Sequence, residues 1–220
     1  MNGNTKQRIT HGIVRVACVT ALGLAFTVAL PQAAHADNDK ITVPPVPAGV
    51  EVDPPNEVVF VGHAVGTQNY VCLPSGSTFA WSLFTPEATL FNDKGKQLTT
   101  HFFSINPFEP GIIRATWEDS RDTSTVWAKV IKASSEAPFV NPGAIAWVKL
   151  QVRDVGAQDG PTGGDRLSET TFIQRLNTVG GLAPETGCAV ATDVGSRAFM
   201  PYTADYFFYE DASRHGRYDR

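Results

Sequence analysis

Short apolar runs that alternate with polar residues, punctuated by glycine and proline, set the terms for what this chain can fold into. In residues 78–84, Phe79, Trp81 and Leu83 alternate with Thr78, Ala80 and Ser82, the period of a half-buried strand. Runs of β character also occupy 57–64, 67–72, 88–91, 97–104, 112–118, 125–132, 146–154, 169–177 and 203–210. Helical patterning is confined to 134–137 and 189–193, where it amounts to a turn. Nine or ten short strands with almost no helix predict an all-β single domain, a β-sandwich or jelly-roll-like fold. Its Gly/Pro-rich loops fall at 156–164 and 180–187, and no internal repeat is present.

Two strand pairs carry finer expectations. The last run places Tyr206 and Phe208 on one face and Phe207 and Tyr209 on the other, as in a strand buried on both sides. The clearest hairpin joins 112–118 to 125–132. A turn centred on Asp122 makes Trp117 and Trp127 neighbours across the ladder.

Residues 1–36 read as a signal peptide. Lys6, Arg8 and Arg15 precede an apolar run of about 15 residues, short of the roughly 20 that span a bilayer, and Ala34-His35-Ala36 offers a cleavage site. Residues 37–56 hold five prolines and read as an extended arm, which Ile41, Val43, Val46, Val50 and Val52 favour as a strap across the domain. The β-domain then covers 57–210, and 211–220 reads as a frayed tail.

Removal of the signal peptide sharpens the chemistry of what remains. It holds three of the 18 Lys and Arg and none of the 22 Asp and Glu, so the mature chain carries 15 bases against 22 acids. That excess argues against nucleic acid or an anionic membrane as partner. No second apolar run of membrane length occurs, so no span is expected in the mature chain. The address is secreted or extracellular, and periplasmic if the host has an outer membrane. In an oxidising compartment Cys72 and Cys188 make an even pair, expected as a disulfide. It closes a loop of about 115 residues, worth about 4–5 kcal/mol on the chain-entropy account.

Several segments are specific enough to compare with a known family. Phe172-Ile-Gln-Arg-Leu-Asn-Thr-Val-Gly-Gly-Leu-Ala-Pro184, Cys188 and Tyr202-Thr-Ala-Asp-Tyr-Phe-Phe-Tyr209 resemble a secreted family of bacteria and fungi catalogued as domain of unknown function 3455. Val43-Pro-Pro-Val-Pro-Ala48, Gly66-Thr-Gln-Asn-Tyr-Val-Cys72 and Pro86-Glu-Ala-Thr-Leu-Phe91 look like its N-terminal half. The likeness covers nearly all of 43–209. Many relatives carry a Gly-Pro-x-Trp element and an Asp-Gly-Ser turn mid-chain. Here that region runs from His101 to Pro107 and from Trp117 to Trp127 without them, which leaves its role open. The resemblance implies export and one domain, and brings no catalytic residues with it.

Candidate ligand-binding residues cluster in that divergent region. Glu118, Asp119, Arg121 and Asp122 lie between Trp117 and Trp127. Carboxylates beside indoles suit a carbohydrate, and paired carboxyls at the right separation hydrolyse glycosidic bonds. A solvated hairpin turn calls for the same residues. His101, with His63, is a candidate base without a second ligand or partner nearby in sequence. Asp154, Asp159 and Asp165 punctuate a loop but lack EF-hand spacing, so no metal is expected. Gly-x-Ser-x-Gly, His-Glu-x-x-His and phosphate-loop signatures are absent, and no cofactor is implied. The leading expectation is a non-enzymatic binding protein for an extracellular glycan or protein. The alternatives are a carboxylate-based hydrolase and a structural coat or matrix component. Thiol titration of the unreduced, denatured mature protein is expected to find no free cysteine; two free thiols contradict the pairing.

Overall fold

The computed structural model describes residues 41–215, without the side chain of His215. The expected signal peptide, the first four residues of the arm and residues 216–220 lie outside that range. The strands are β1 (Asn56–Ser75), β2 (Thr78–Phe91), β3 (Gln97–Ile105), β4 (Ile113–Asp119) and β5 (Thr125–Ser134). They continue as β6 (Trp147–Gln151), β7 (Ala157–Gln158), β8 (Thr170–Gly180) and β9 (Arg197–Asp211). A 3-10 turn at Ala191–Asp193 and a helical turn, α1 (Ala212–His215), complete the described elements.

The architecture corrects the expected sandwich or jelly roll. Each strand of the series β1-β2-β3-β4-β5-β6-β8-β9 pairs antiparallel with the next, and β9 pairs back onto β1. The result is a closed eight-stranded barrel, with the two-residue β7 laid beside the start of β5. In a sandwich the ladder breaks between the two sheets, whereas here it runs round unbroken, β4 pairing with both β3 and β5.

Two expected strand pairs merge into single long strands. Runs 57–64 and 67–72 join through Gly66, which breaks nothing because its task is close approach. A Cβ there would sit 2.1 Å from the Glu87 carbonyl oxygen and 2.5 Å from Ala88 Cα. Runs 78–84 and 88–91 join through Pro86. The β2–β3 ladder begins only at Ala88, so the N–H that Pro86 lacks is not missed on that side.

Inward residues build one core from Phe60, Ala64, Leu90, Trp117, Val126, Leu150, Ile173 and Phe208. A second apolar cluster lies outside the wall, where Trp147, Leu176, Phe207 and Tyr209 meet the arm through Val43, Val46, Val50 and Val52. The arm is thus a strap. Gln174 Nε2 donates to the Val50 carbonyl at 2.6 Å, and the Tyr209 hydroxyl donates to Gln174 Oε1. β9 is buried on both faces, as its aromatics require. The Cys72–Cys188 disulfide ties the far end of β1 to the loop before β9, with Cα atoms 5.5 Å apart. Among the described residues no helix is long and apolar enough to cross a membrane.

The Gly66 contact gives a direct test of the β1–β2 approach. Gly66→Ala is expected to destabilise the fold by about 3 kcal/mol in chemical denaturation, because the clash is with backbone that cannot swing aside.

Candidate functional site

One end of the barrel is closed by the chain itself. The loop after β6 folds across it, burying Val152 and Leu167, and is pinned to the β4–β5 turn by hydrogen bonds. Asp122 Oδ1 accepts from the Ser124 amide and hydroxyl at 2.9 and 2.7 Å, and Oδ2 accepts from the Arg166 amide at 3.1 Å. The Ser124 hydroxyl oxygen accepts from the Leu167 amide at 3.1 Å. Gly160 and Gly164 let the loop pass against Asp122, where a Cβ would collide at 1.7 and 2.1 Å.

Toward the other end the interior opens into a cavity of about 440 Å³. Leu83, Pro86, Phe103, Ile113, Ala115, Ala128, Val130, Val148 and Leu150 make its walls apolar. Gln68, His101, Trp117, Arg175 and Tyr206 supply its polar groups, and Arg114 and Lys129 also line it. No carboxylate does. The volume falls in the range of small-molecule sites, and eight strands give a barrel just wide enough to hold one small ligand.

Alternation along the strands explains why these side chains converge. His101 and Trp117 face each other across the β3–β4 ladder, and their rings stack at 4.0 Å between centroids, 7° apart in plane. Tyr206 meets both edge-on. The His101 Nδ1 lies 2.9 Å from the Thr116 carbonyl, so Nδ1 carries the proton and Nε2 is an acceptor in the neutral ring. Burial, aided by the nearby Arg175 charge, holds its pKa down to about 3 against the one raising contact with Thr116. Tyr202 and Tyr206 share a hydroxyl contact at 3.2 Å, and burial raises the pKa of each. Both phenols are therefore neutral. Arg175 donates through Nε and Nη2 to the Ala146 carbonyl at 3.3 and 2.9 Å.

The residues singled out in the sequence divide between the two ends and the two faces. His101 and Trp117 line the cavity together. Trp127 does not join them, which corrects the expected pairing of the indoles. Trp117 stands opposite Val126 and Thr116 opposite Trp127, so the two rings lie on opposite faces of the hairpin. Trp127 donates from Nε1 to Ser104 Oγ at 2.8 Å and meets Phe108 edge-on. With Trp117 at 0% and Trp127 at 7% exposure, neither presents a free face to a sugar.

Asp119 and Asp122 belong to the closed end. Asp119 Oδ1 accepts from the Arg121 and Asp122 amides at 2.9 and 3.2 Å, and its Oδ2 lies 3.6 Å from Arg166. These carboxylates organise the turn and the loop behind it. Glu118 stands opposite Thr100 and Thr125 on β4, and Arg121 is exposed. Asp154, Asp159 and Asp165 do not gather: among the described residues no three His, Cys, Asp or Glu side chains are grouped to hold a metal. His63 lies outside the cavity, between Asp205 at 2.7 Å and Asp93 at 2.9 Å. Partial burial lowers its pKa, but the two carboxylates outweigh that and leave it raised.

Gln68, Arg175 and Tyr206 escaped the sequence-based choice of site residues. Arg175 left a signal, since it shares its strand face with the core residue Ile173. An arginine in a core-facing register position is unusual enough to mark a site.

The family described as "Protein of unknown function (DUF3455)" matches residues 54–210. No curated protein and no solved structure matches the chain.

The buried, neutral His101 makes stability pH-dependent with a defined sign. Its folded pKa lies below the unfolded value of 6.5, so its effect is absent above that pH and stability falls as acid protonates the unfolded chain first. The slope is about 1.4 kcal/mol per pH unit, levelling out only near pH 3. In urea denaturation between pH 6.5 and 4.5, above the range where the carboxylates titrate, His101→Gln is expected to lose less stability with acid than the unaltered protein, the two sharing the opposing contribution of His63; equal losses contradict the buried neutral imidazole.

Proposed function

We propose, from the premise that the chain belongs to the DUF3455 family, that it is an exported, non-enzymatic binding domain that holds one small, largely apolar molecule in the open end of its barrel. One observation carries this. A closed barrel, plugged at one end, keeps a cavity of about 440 Å³ toward the other, where side chains of ordinary size would otherwise fill the space. Apolar walls with a few convergent polar groups are the common make-up of small-molecule sites.

Catalysis has less in its favour. His101 is stacked and buried, and the paired carboxylates Asp119 and Asp122 are engaged by backbone amides at the plugged end. A binding role asks of the cavity only shape, dryness and a few donors. Export is supported by the Ala34-His35-Ala36 site and by the Cys72–Cys188 bridge, which suits an oxidising compartment.

Filling the space tests the proposal. Decanol is expected to bind the mature protein with one-to-one stoichiometry by calorimetry and to perturb tryptophan fluorescence, since Trp117 lines the cavity. Ala115→Phe, which projects a ring into the cavity, is expected to weaken that binding by about tenfold or more while the thermal transition stays cooperative. Equal affinity in the filled variant contradicts the site.

A further inference from the structure

The unmatched donors in the cavity specify what kind of molecule fits. Arg114, Arg153, Arg166 and Arg214 each pair with a carboxylate. Arg175, in the barrel interior beside Tyr206, forms no ion pair among the described residues. Its guanidinium donates from Nε and Nη2 to the Ala146 carbonyl and lies against the neutral Tyr206 hydroxyl, and no carboxylate takes the remaining N–H groups of the fork. Gln68, 2% exposed in the cavity lining, has its buried Nε2 in no more than a loose approach to the Tyr202 hydroxyl, and Trp117 Nε1 is buried without a partner. Both of these buried cavity atoms are donors. Arg175 is half-buried, and drawing a guanidinium from water without a counter-charge, or amide hydrogens without good acceptors, costs free energy that an anionic acceptor recovers.

Resting on the binding role proposed above, we infer that the ligand is a monocarboxylic acid with an apolar body, its carboxylate seated on Arg175 and within reach of Gln68 and its hydrocarbon part against Phe103, Leu150 and Val130. A planar fork matches a carboxylate in two parallel hydrogen bonds. A single interior guanidinium balances a single negative charge. The lining contains no Asp or Glu to oppose that charge, and Lys129 adds positive potential on the way in, Arg114 being already paired with Glu109. A ligand amine finds no counter-charge here, and an alcohol leaves the Arg175 charge unpaired.

Three probes of one shape and different charge separate this inference from the binding role beneath it. Calorimetric titration of the mature protein at neutral pH with decanoate, decanol and decylamine is expected to show decanoate at least tenfold tighter than decanol, with decylamine weakest. Arg175→Gln, which removes the charge but keeps a hydrogen-bonding amide, is expected to abolish the preference for decanoate over decanol. The probe comparison on the unaltered protein decides the matter even if that variant folds poorly. Decanol or decylamine binding as tightly as decanoate overturns the carboxylate inference and leaves the binding role standing. Failure of all three probes to bind overturns both. An Arg175→Gln protein that folds and still prefers decanoate places the selectivity elsewhere and overturns the assignment to Arg175.

Discussion

Ring closure of the hydrogen-bond ladder is the constraint on which the rest depends. β4 pairs with β3 on one side and β5 on the other, and β9 returns to β1, so the ladders of eight strands join in one circuit. Closure creates an inside that two stacked sheets do not have. It also fixes which side chains share that inside, because alternate residues of every strand must face it. His101, Trp117, Arg175 and Tyr206 come from four strands spread over more than half of the chain, and only the ring brings them together.

Two further features follow from closure. The outer wall at β8 and β9 carries apolar residues that need a cover, which the proline-rich arm supplies without adding a strand. The ends of a barrel need separate treatment. One is sealed by the loop that Asp122 and Ser124 hold in place, while the other keeps its cavity. Carboxylates that looked like chemistry in the sequence therefore serve to shape the plugged end, and the polar groups lining the cavity come from residues that looked like ordinary strand.

Individual strands were legible because period-two alternation is local. The barrel was not, because its deciding contact pairs β1 with β9, some 140 residues apart, and nine or ten short strands suit a sandwich equally well. The hairpin shows how fine the remaining ambiguity is. A turn centred on Asp122 pairs Trp117 with Trp127, whereas the observed pairing of Glu118 with Thr125 centres it between Arg121 and Asp122. Half a residue in the turn is one residue in register, and one residue moves an indole from the core to the outer wall. The positive φ of 60° at Thr123 and the Asp119 side-chain bonds set that centre, and neither is readable from residue types alone. Arg175 was legible in principle, by its shared face with Ile173, once the interior of a barrel rather than a surface was the thing to look for.

The cavity as a ligand site is the central claim, and heteronuclear NMR of the mature protein titrated with decanoate tests it most directly. Saturable shifts are expected to concentrate at Gln68, His101, Trp117, Arg175 and Tyr206, which meet only inside the barrel. Shifts confined to outer-wall residues such as Phe108 and Phe199, with the interior set unmoved, contradict it.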